Sequence, residues 1–223
     1  MSPVRTVLLD LDGTLVDSAA LITEHLAGAL VAVGAEVPEP AVLRSMVGPP
    51  FETAMPAIGL SAEQTAAAIV LYRRTYDLVA ARHTPLYAGV PELLDKLAAA
   101  GRRLVVATSK PETTARRIVD GVGIADRFAL VAGADHVLGR VGKGAVIGSA
   151  LDRLGLDPRT TPVVMVGDRH HDVDGAAEYS VPAIGVGWGY AEPGELAGAR
   201  LIVDDLETLL VVLTDDEAPI WSS

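Results

Sequence analysis

The chain has 223 residues, half of them hydrophobic, with 29 acidic against 18 basic side chains, a net charge of −11 and no cysteine. That length holds one large domain or a core with a smaller second unit, and the lack of cysteine excludes disulfides and thiolate metal sites. The acidic balance argues against a nucleic-acid polymer as partner, whose footprint is a basic patch, and against binding to an anionic membrane.

Met1-Ser-Pro-Val-Arg5 leading straight into a strand does not read as a signal peptide. No apolar run reaches the roughly 18 residues of a membrane span, so the expectation is a soluble, cytoplasmic protein. Residues 4–9 are short and mostly apolar and predict a buried strand. It ends in Asp10-Leu-Asp12-Gly13, two carboxylates one residue apart followed by glycine. In an open α/β sheet, ligands bind beyond the carboxyl ends of the strands. Two acids so close repel unless a metal neutralises them or one keeps its proton. A carboxylate nucleophile with a neighbouring acid/base needs that arrangement.

Ser18 is placed to cap a helix that runs to about Val33, with Ile22, Leu26, Ala29, Leu30 and Val33 on one face and Gly34 as its stop. Pro38 and Pro40 break the chain, and residues 41–46 predict a short helix before Val47-Gly48-Pro49-Pro50. Ser61-Ala-Glu-Gln64 is a capping box opening a helix whose stripe is Thr65, Ile69, Tyr72, Tyr76 and Val79. Residues 16–84 thus carry helix signals and no strand signal, a helical insertion after the first strand. From Pro85 helices and strands alternate. Pro91 suits the first turn of a helix that Gly101 ends. Strands are predicted over 104–107, 128–132, 162–166 and 183–186, with an edge strand over 201–203. Helices begin at Pro111, cover 143–154, contain Ala176 and Ala177, and close the pattern over 206–213. The tail over 215–223 is expected to be loosely held. Such alternation gives an α/β fold, a parallel sheet with helices on both faces.

The polar residues gather at the strand ends. Asp10 and Asp12 end the first strand and Thr108-Ser109-Lys110 the second. Lys143 opens a helix after the third, and Gly167-Asp168-Arg169-His170-His171-Asp172 ends the fourth. All can meet at one edge of the sheet. They suggest phosphoryl transfer, in which a carboxylate attacks phosphorus, a hard divalent cation bridges carboxylate and phosphate oxygens, and fixed donors hold the remaining oxygens. The oxygen ligands suit Mg²⁺.

In this order and spacing the motifs resemble those of the haloacid dehalogenase-like (HAD) hydrolases. Asp10-Leu-Asp-Gly-Thr-Leu-Val-Asp-Ser18 is similar to their first motif, Ala107-Thr-Ser-Lys110 to the second, Lys143 to the third and Gly167-Asp168-x-x-x-Asp172 to the fourth. Gly48-Pro49-Pro50, Tyr87-x-Gly89-Val90, Met165-Val-Gly-Asp-Arg169 and Gly185-Val186 resemble the phosphoglycolate phosphatase-like branch, in particular its 5′-nucleotidase-like members. The resemblance implies a Rossmann-like, doubly wound catalytic core over 1–15 and 85–223 with an all-α cap domain over 16–84. It implies a Mg²⁺-dependent phosphomonoesterase acting on a small phosphorylated metabolite, as a monomer or homodimer. Asp10 would be nucleophile and metal ligand, forming an aspartyl-phosphate. Asp12 would protonate the leaving oxygen, then activate water, its backbone carbonyl binding the metal. Thr108 and the Ser109 amide would hold the phosphoryl group, Lys143 would offset charge, Asp168 would bind the metal directly, and Asp172 would act behind it or through water.

Other features read more plainly. Thr108 and Ser109 can also cap the helix at Pro111. Asp174 reads as a cap for the helix at Ala176. His170 and His171 read as solvent-facing, since adjacent side chains diverge and no third nitrogen ligand has a fitting spacing. His25 reads as structural or solvent-facing. The Gly185 to Tyr190 stretch lacks a dinucleotide context and reads as a loop near the site. Arg169 stands where many phosphoglycolate phosphatases carry serine, which favours a nucleoside monophosphate over phosphoglycolate. Glu24, His25, Arg44 and Gly48-Pro49-Pro50-Phe51 are the candidate specificity elements. Within the resemblance, Asp12 argues against a dehalogenase. The absence of lysine from residues 16–84 argues against a phosphonoacetaldehyde hydrolase, and Ile22 in place of histidine against a β-phosphoglucomutase. A phosphosugar phosphatase or mutase and a catalytically idle binding module are the alternatives.

Overall fold

Thr6–Leu9 is buried at every position and forms the first strand, β1. The computed structural model describes residues 5–221, so Val4 and the last two serines lie outside the described residues. After β1 come β2 (Arg103–Pro111), β3 (Leu130–Ala134), β4 (Val163–Gly167), β5 (Ala183–Val186) and β6 (Leu201–Val203). They form one parallel six-stranded sheet in the order β3-β2-β1-β4-β5-β6. This is the doubly wound order, and the chain reverses direction across the sheet between β1 and β4, where such folds bind ligands.

The strands read as continuous apolar runs because both faces of the sheet are covered. Side chains alternate between two cores. Val7, Leu9, Leu104, Val106, Val164 and Val166 face one way, and Leu8, Val105, Ala107, Val163 and Met165 the other. On the first face pack α5 (Val90–Ala99), α6 (Glu112–Gly121) and α9 (Leu206–Thr214); on the second, α7 (Lys143–Leu154) and α8 (His170–Ala177).

Between β1 and β2 stand α1 (Ala19–Ala32), α2 (Pro40–Ser45), α3 (Phe51–Ala57) and α4 (Ala62–His83). The Ser61 capping box forms in both directions, each bond 3.1 Å long. α1 buries Ile22, Leu26 and Leu30, and α4 buries Ile69, Tyr72 and Tyr76, all in the first core, while Val33 and Val79 are only half-buried. The chain leaves and re-enters the sheet layer side by side. The Asp17 amide donates to the Pro85 carbonyl at 2.9 Å and the Tyr87 amide to the Leu15 carbonyl at 3.1 Å. No helix among the described residues is long and apolar enough to cross a membrane.

Three expectations need correction. α3 carries no clear apolar stripe and holds Pro56, so its helical signal was hidden. β2 continues to Pro111, with an irregular register between Thr108 and Pro111. Residues 215–221 of the tail are not loosely held, and Ser222 and Ser223 lie outside the described residues. Ile220 is buried in the core, Asp216 pairs with Arg102 at 2.6 Å and Arg5 at 3.1 Å, and both guanidinium groups lie over the Trp221 ring. An apolar pair at its end gives the segment surface to bury. Ile220→Ala should lower unfolding stability by about 2 kcal/mol, read as a shifted urea midpoint; an unchanged midpoint would mean the tail is not held.

Candidate active site

At the C-terminal end of β1 the Asp10 amide donates to the Val166 carbonyl of β4 at 2.9 Å, fixing Asp10 at the reversal point of the sheet. Gly13 has φ +82°, and a Cβ there would run into the Asp168 carboxylate; Gly189 closes on Asp168 from another side. These glycines allow Asp168 to lie fully buried against the β1 turn. Its Oδ1 accepts from the Thr14 hydroxyl at 3.3 Å and its Oδ2 from the Tyr190 amide at 2.8 Å.

Lys143 is the first residue of α7, and its ammonium reaches back under the sheet edge. Nζ donates to the Ala107 carbonyl at 2.9 Å and lies 2.7 Å from Asp10 Oδ1 and 2.6 Å from Asp172 Oδ1. Both of those buried carboxylate oxygens lack a hydrogen bond of good geometry, so their contact with Lys143 is ionic. Asp172 is anchored in the first turn of α8, where its Oδ2 accepts from the Arg169 amide at 3.0 Å. Asp10, Asp168 and Asp172 each offer an oxygen, all within 4.8 Å of one another.

Three buried acids around one ammonium are short of positive charge. Burial, offset in part by Lys143 and reinforced by Asp172, pushes the Asp10 carboxyl up to about 6. Burial also raises Asp168 well above the carboxylate range, with the Asp10 and Asp172 charges adding to it. For Lys143, burial works to lower the pKa, but the Asp10 and Asp172 charges outweigh it and hold the ammonium. A divalent cation fits here, because the donors are all oxygens, two of them lack hydrogen-bond donors, and its charge would relieve the raised carboxyl groups.

Asp10, Asp12, Thr108, Ser109, Lys143 and Asp172 line one cleft, with Asp168 beneath it. Asp12 holds both its oxygens in contacts. The Ser18 hydroxyl donates to Oδ1, and the Lys110 ammonium stands 3.1 Å from Oδ2. Ser18 therefore occupies the N-cap position of α1 without capping it. Thr108 is buried, and its hydroxyl oxygen accepts from the Lys110 amide at 3.2 Å.

Two connections lay beyond the sequence reading. Lys110 donates to the Tyr76 hydroxyl of α4 at 3.0 Å and lies 4.6 Å from the centre of that ring. Arg169 pairs with Glu195 at 2.6 Å and donates from Nη1 to the Val47 carbonyl, tying the segment before Gly48 to β4's end. Lys110 sits inside the second motif, so its position was visible; its partner on α4, some 34 residues away in the chain, was not.

The two histidines do not diverge into solvent. Their ring centres are 3.8 Å apart, and both side chains are half-buried. His170 Nδ1 meets Glu195 Oε1 at 2.7 Å, and His171 lines the cleft. The Glu195 carboxylate, from the loop after β5, holds His170, and the His171 ring lies against that of His170. Asp174 lies inside α8, exposed, and caps nothing. His25 is structural, with Nδ1 3.1 Å from the Thr75 hydroxyl and its ring edge-on to Tyr76. Arg44 lies over the Tyr190 ring and Glu24 is exposed; neither lines the cleft, whereas Gly48-Pro49-Pro50-Phe51 does. The loop after β5 abuts the site. Trp188 donates to the Thr14 carbonyl, and the Tyr190 hydroxyl bridges the Ala19 amide and Asp17.

Comparison with known proteins agrees with this arrangement. A profile of the family described as "Haloacid dehalogenase-like hydrolase" matches residues 7–186. Over 186 residues the chain is 45% identical to "Tyrosine-protein kinase PtkA" of Mycobacterium tuberculosis, an alignment covering 83% of this chain and 63% of that protein. The chain thus spans less than two thirds of that relative's length. It is 35% identical over 191 residues to a "5′-nucleotidase" of Pseudomonas aeruginosa, covering 85% of this chain and 86% of that one. The solved structure of "a predicted phosphatase from Clostridium acetobutylicum" superposes with a TM-score of 0.87 at 34% identity, covering 94% of this chain and 98% of that one. With its four motifs gathered around one buried acidic cluster, the chain belongs to the haloacid dehalogenase-like hydrolase family.

Proposed function

We propose that the protein is a phosphomonoesterase that hydrolyses a small organic phosphate through a phosphoryl group carried on Asp10. What supports this above all is the Asp10 carboxylate at the mouth of β1, 2.7 Å from a buried ammonium and facing a cleft shared with Asp12 and Thr108. A carboxylate oxygen of Asp10 attacks phosphorus, the bond from phosphorus to the leaving oxygen breaks, and Asp12 gives that oxygen its proton. Asp12 then takes a proton from water, the water oxygen attacks phosphorus, and the bond to Asp10 breaks to release inorganic phosphate. Thr108 and the Ser109 amide hold phosphoryl oxygens, and Lys143 balances the charge of Asp10 and phosphate. Asp10, Asp168 and the Asp12 carbonyl would hold Mg²⁺, with Asp172 behind them, and the ion would offset phosphoryl charge.

Residues 1–15 and 85–223 would act as the catalytic core and 16–84 as a cap that closes over substrate and excludes bulk water. A nucleoside monophosphate is the first substrate to test and phosphoglycolate the second, with a cytoplasmic setting the expectation from the sequence. Phosphate release from such a panel with Mg²⁺ tests the proposal. Chelation with EDTA should abolish release, and undiminished rates would remove the metal from the mechanism.

The kinase name of one relative raises a second reading. The first half-reaction would be the same, with ATP as donor, and a tyrosine hydroxyl in place of water would take the phosphoryl group from Asp10. Transfer of label from γ-labelled ATP to a tyrosine would favour it over hydrolysis.

A further inference from the structure

Lys110 is a buried cation of the cleft to which the proposed mechanism gives no task. It stands where β2 loses its regular register, between Thr108 and Pro111, and its amide donates to the Thr108 hydroxyl at 3.2 Å. Its side chain is 6% exposed; the ammonium lies 3.1 Å from Asp12 Oδ2 and donates to the Tyr76 hydroxyl at 3.0 Å. Nζ also lies over the face of the Tyr76 ring, 4.6 Å from its centre, a placement that favours a cation. Tyr76 is itself fixed. It is buried, stacks on Tyr72 at 5.0 Å and 14°, and meets the His25 ring edge-on at 6.0 Å.

Asp12 is thus held at both oxygens, by the Ser18 hydroxyl at Oδ1 and by Lys110 at Oδ2. Ser18 precedes α1 and Tyr76 lies in α4, so both supports reach back to the insertion between β1 and β2. Each carboxylate oxygen keeps a lone pair beyond the one engaged here, so the two contacts fix the direction of the carboxylate without closing it to a proton. Such aim matters, because a group that moves protons in a reaction must lie within hydrogen-bond reach of its partner. Lys143 contacts Asp10 and Asp172 while Lys110 contacts Asp12, so the two buried ammonium groups serve different carboxylates.

We infer that Lys110, braced by Tyr76 of α4, is a positioning residue that aims Asp12 for both of its proton transfers. The ion pair exists with Asp12 as the carboxylate, the form that takes a proton from water as the water oxygen attacks phosphorus and the bond to Asp10 breaks. That proton then rests on Asp12 and goes to the next leaving oxygen. The inference rests on the proposed function in one respect, the role of Asp12. It makes the acid/base depend on α4, since the Tyr76 hydroxyl holds Lys110 in place only while α4 lies against the end of β2.

Kinetics on two esters, with Mg²⁺ present, test this. The leaving oxygen of p-nitrophenyl phosphate departs without a proton, whereas that of a simple alkyl phosphate needs one. With the aryl ester, Lys110→Met should lower kcat about 30-fold and KM in proportion, leaving kcat/KM within about three-fold of its starting value. A burst of about one p-nitrophenolate per protein should precede the slow phase, because transfer to Asp10 continues while the water step lags. With the alkyl ester, kcat/KM itself should fall about 30-fold or more. Tyr76→Phe, which keeps the ring and removes one hydroxyl, should shift both esters the same way by about three- to ten-fold, and it carries the test should Lys110→Met not fold. Asp12→Asn is the reference and should show the same pattern more strongly. Equal losses of kcat/KM on both esters without a burst would overturn the inference and mark Lys110 as a phosphate anchor or a support of the fold. If Asp12→Asn shows the pattern and the Lys110 and Tyr76 variants lack it, only the inference falls. If Asp12→Asn lacks it too, the role given to Asp12 in the proposed function falls with it.

Discussion

Asp10→Asn should lower phosphate release by roughly three orders of magnitude or more while leaving the fold intact. The amide has the shape of the carboxylate but no oxygen able to attack phosphorus, so the first half-reaction is lost. Protein stability should hold or rise. In the native protein the Asp10 carboxyl is pushed up to about 6 by burial, with the Asp172 and Asp12 charges adding to it against the pull of Lys143. Removing its charge leaves Lys143 still paired with Asp172 at 2.6 Å and hydrogen-bonded to the Ala107 carbonyl. Phosphate assays beside a thermal melt check both halves. Near-normal turnover in a folded Asp10→Asn protein would remove Asp10 as the nucleophile, and a collapsed melt would mean its charge is structural.

Much of this site was legible from the sequence because a parallel sheet forces the relation between strand end and function. An apolar run that stops at polar residues tells where a strand emerges, and β1, β2 and β4 emerge at one edge. Lys143 was legible for the same reason, since α7 starts where the chain returns to that edge. What stayed hidden depends on contacts between distant segments. Nothing local to Lys110 announces the Tyr76 hydroxyl on α4, and nothing local to Arg169 announces the Val47 carbonyl. The setting of His170 stayed hidden because its partner, Glu195, lies 25 residues downstream in an irregular loop. The anchoring of the tail stayed hidden because Arg5 and Arg102, which receive Asp216, lie far from it in the chain. α3 escaped because a short helix ending near a proline has too few turns to display a period.

The same charge shortage that suits a metal should make the metal-free protein lose stability as pH rises. An acid raised in the native state binds a proton there at pH values where the unfolded chain has released it, so stability falls as pH climbs between the two pKa values. For Asp10 that window runs from the ordinary carboxyl value of 3.8 to about 6. The gap corresponds to about 3 kcal/mol, at 1.36 kcal/mol per unit. His171 works in the opposite sense, because burial, with the His170 and Arg169 charges, lowers its pKa and unprotonated imidazole is favoured as pH rises. Asp10→Asn keeps His171 and removes the Asp10 titration together with the Asp10 charge that raises Asp168, so the difference between the two proteins reports the acidic cluster and not His171. Urea unfolding in EDTA should show the unaltered protein losing ground to Asp10→Asn from about pH 4 to about pH 7. Mg²⁺ should return that loss at neutral pH and do little at acid pH, where the protonated cluster has no charge to offer it. Lys143→Met should deepen the metal-free loss by about 3–5 kcal/mol, because it strips the buried acids of their ammonium. A gap between the two proteins that stays flat across this range, or a Mg²⁺ stabilisation equal at both ends of it, would mean that Asp10 ionises freely and that the cluster has no need of a cation.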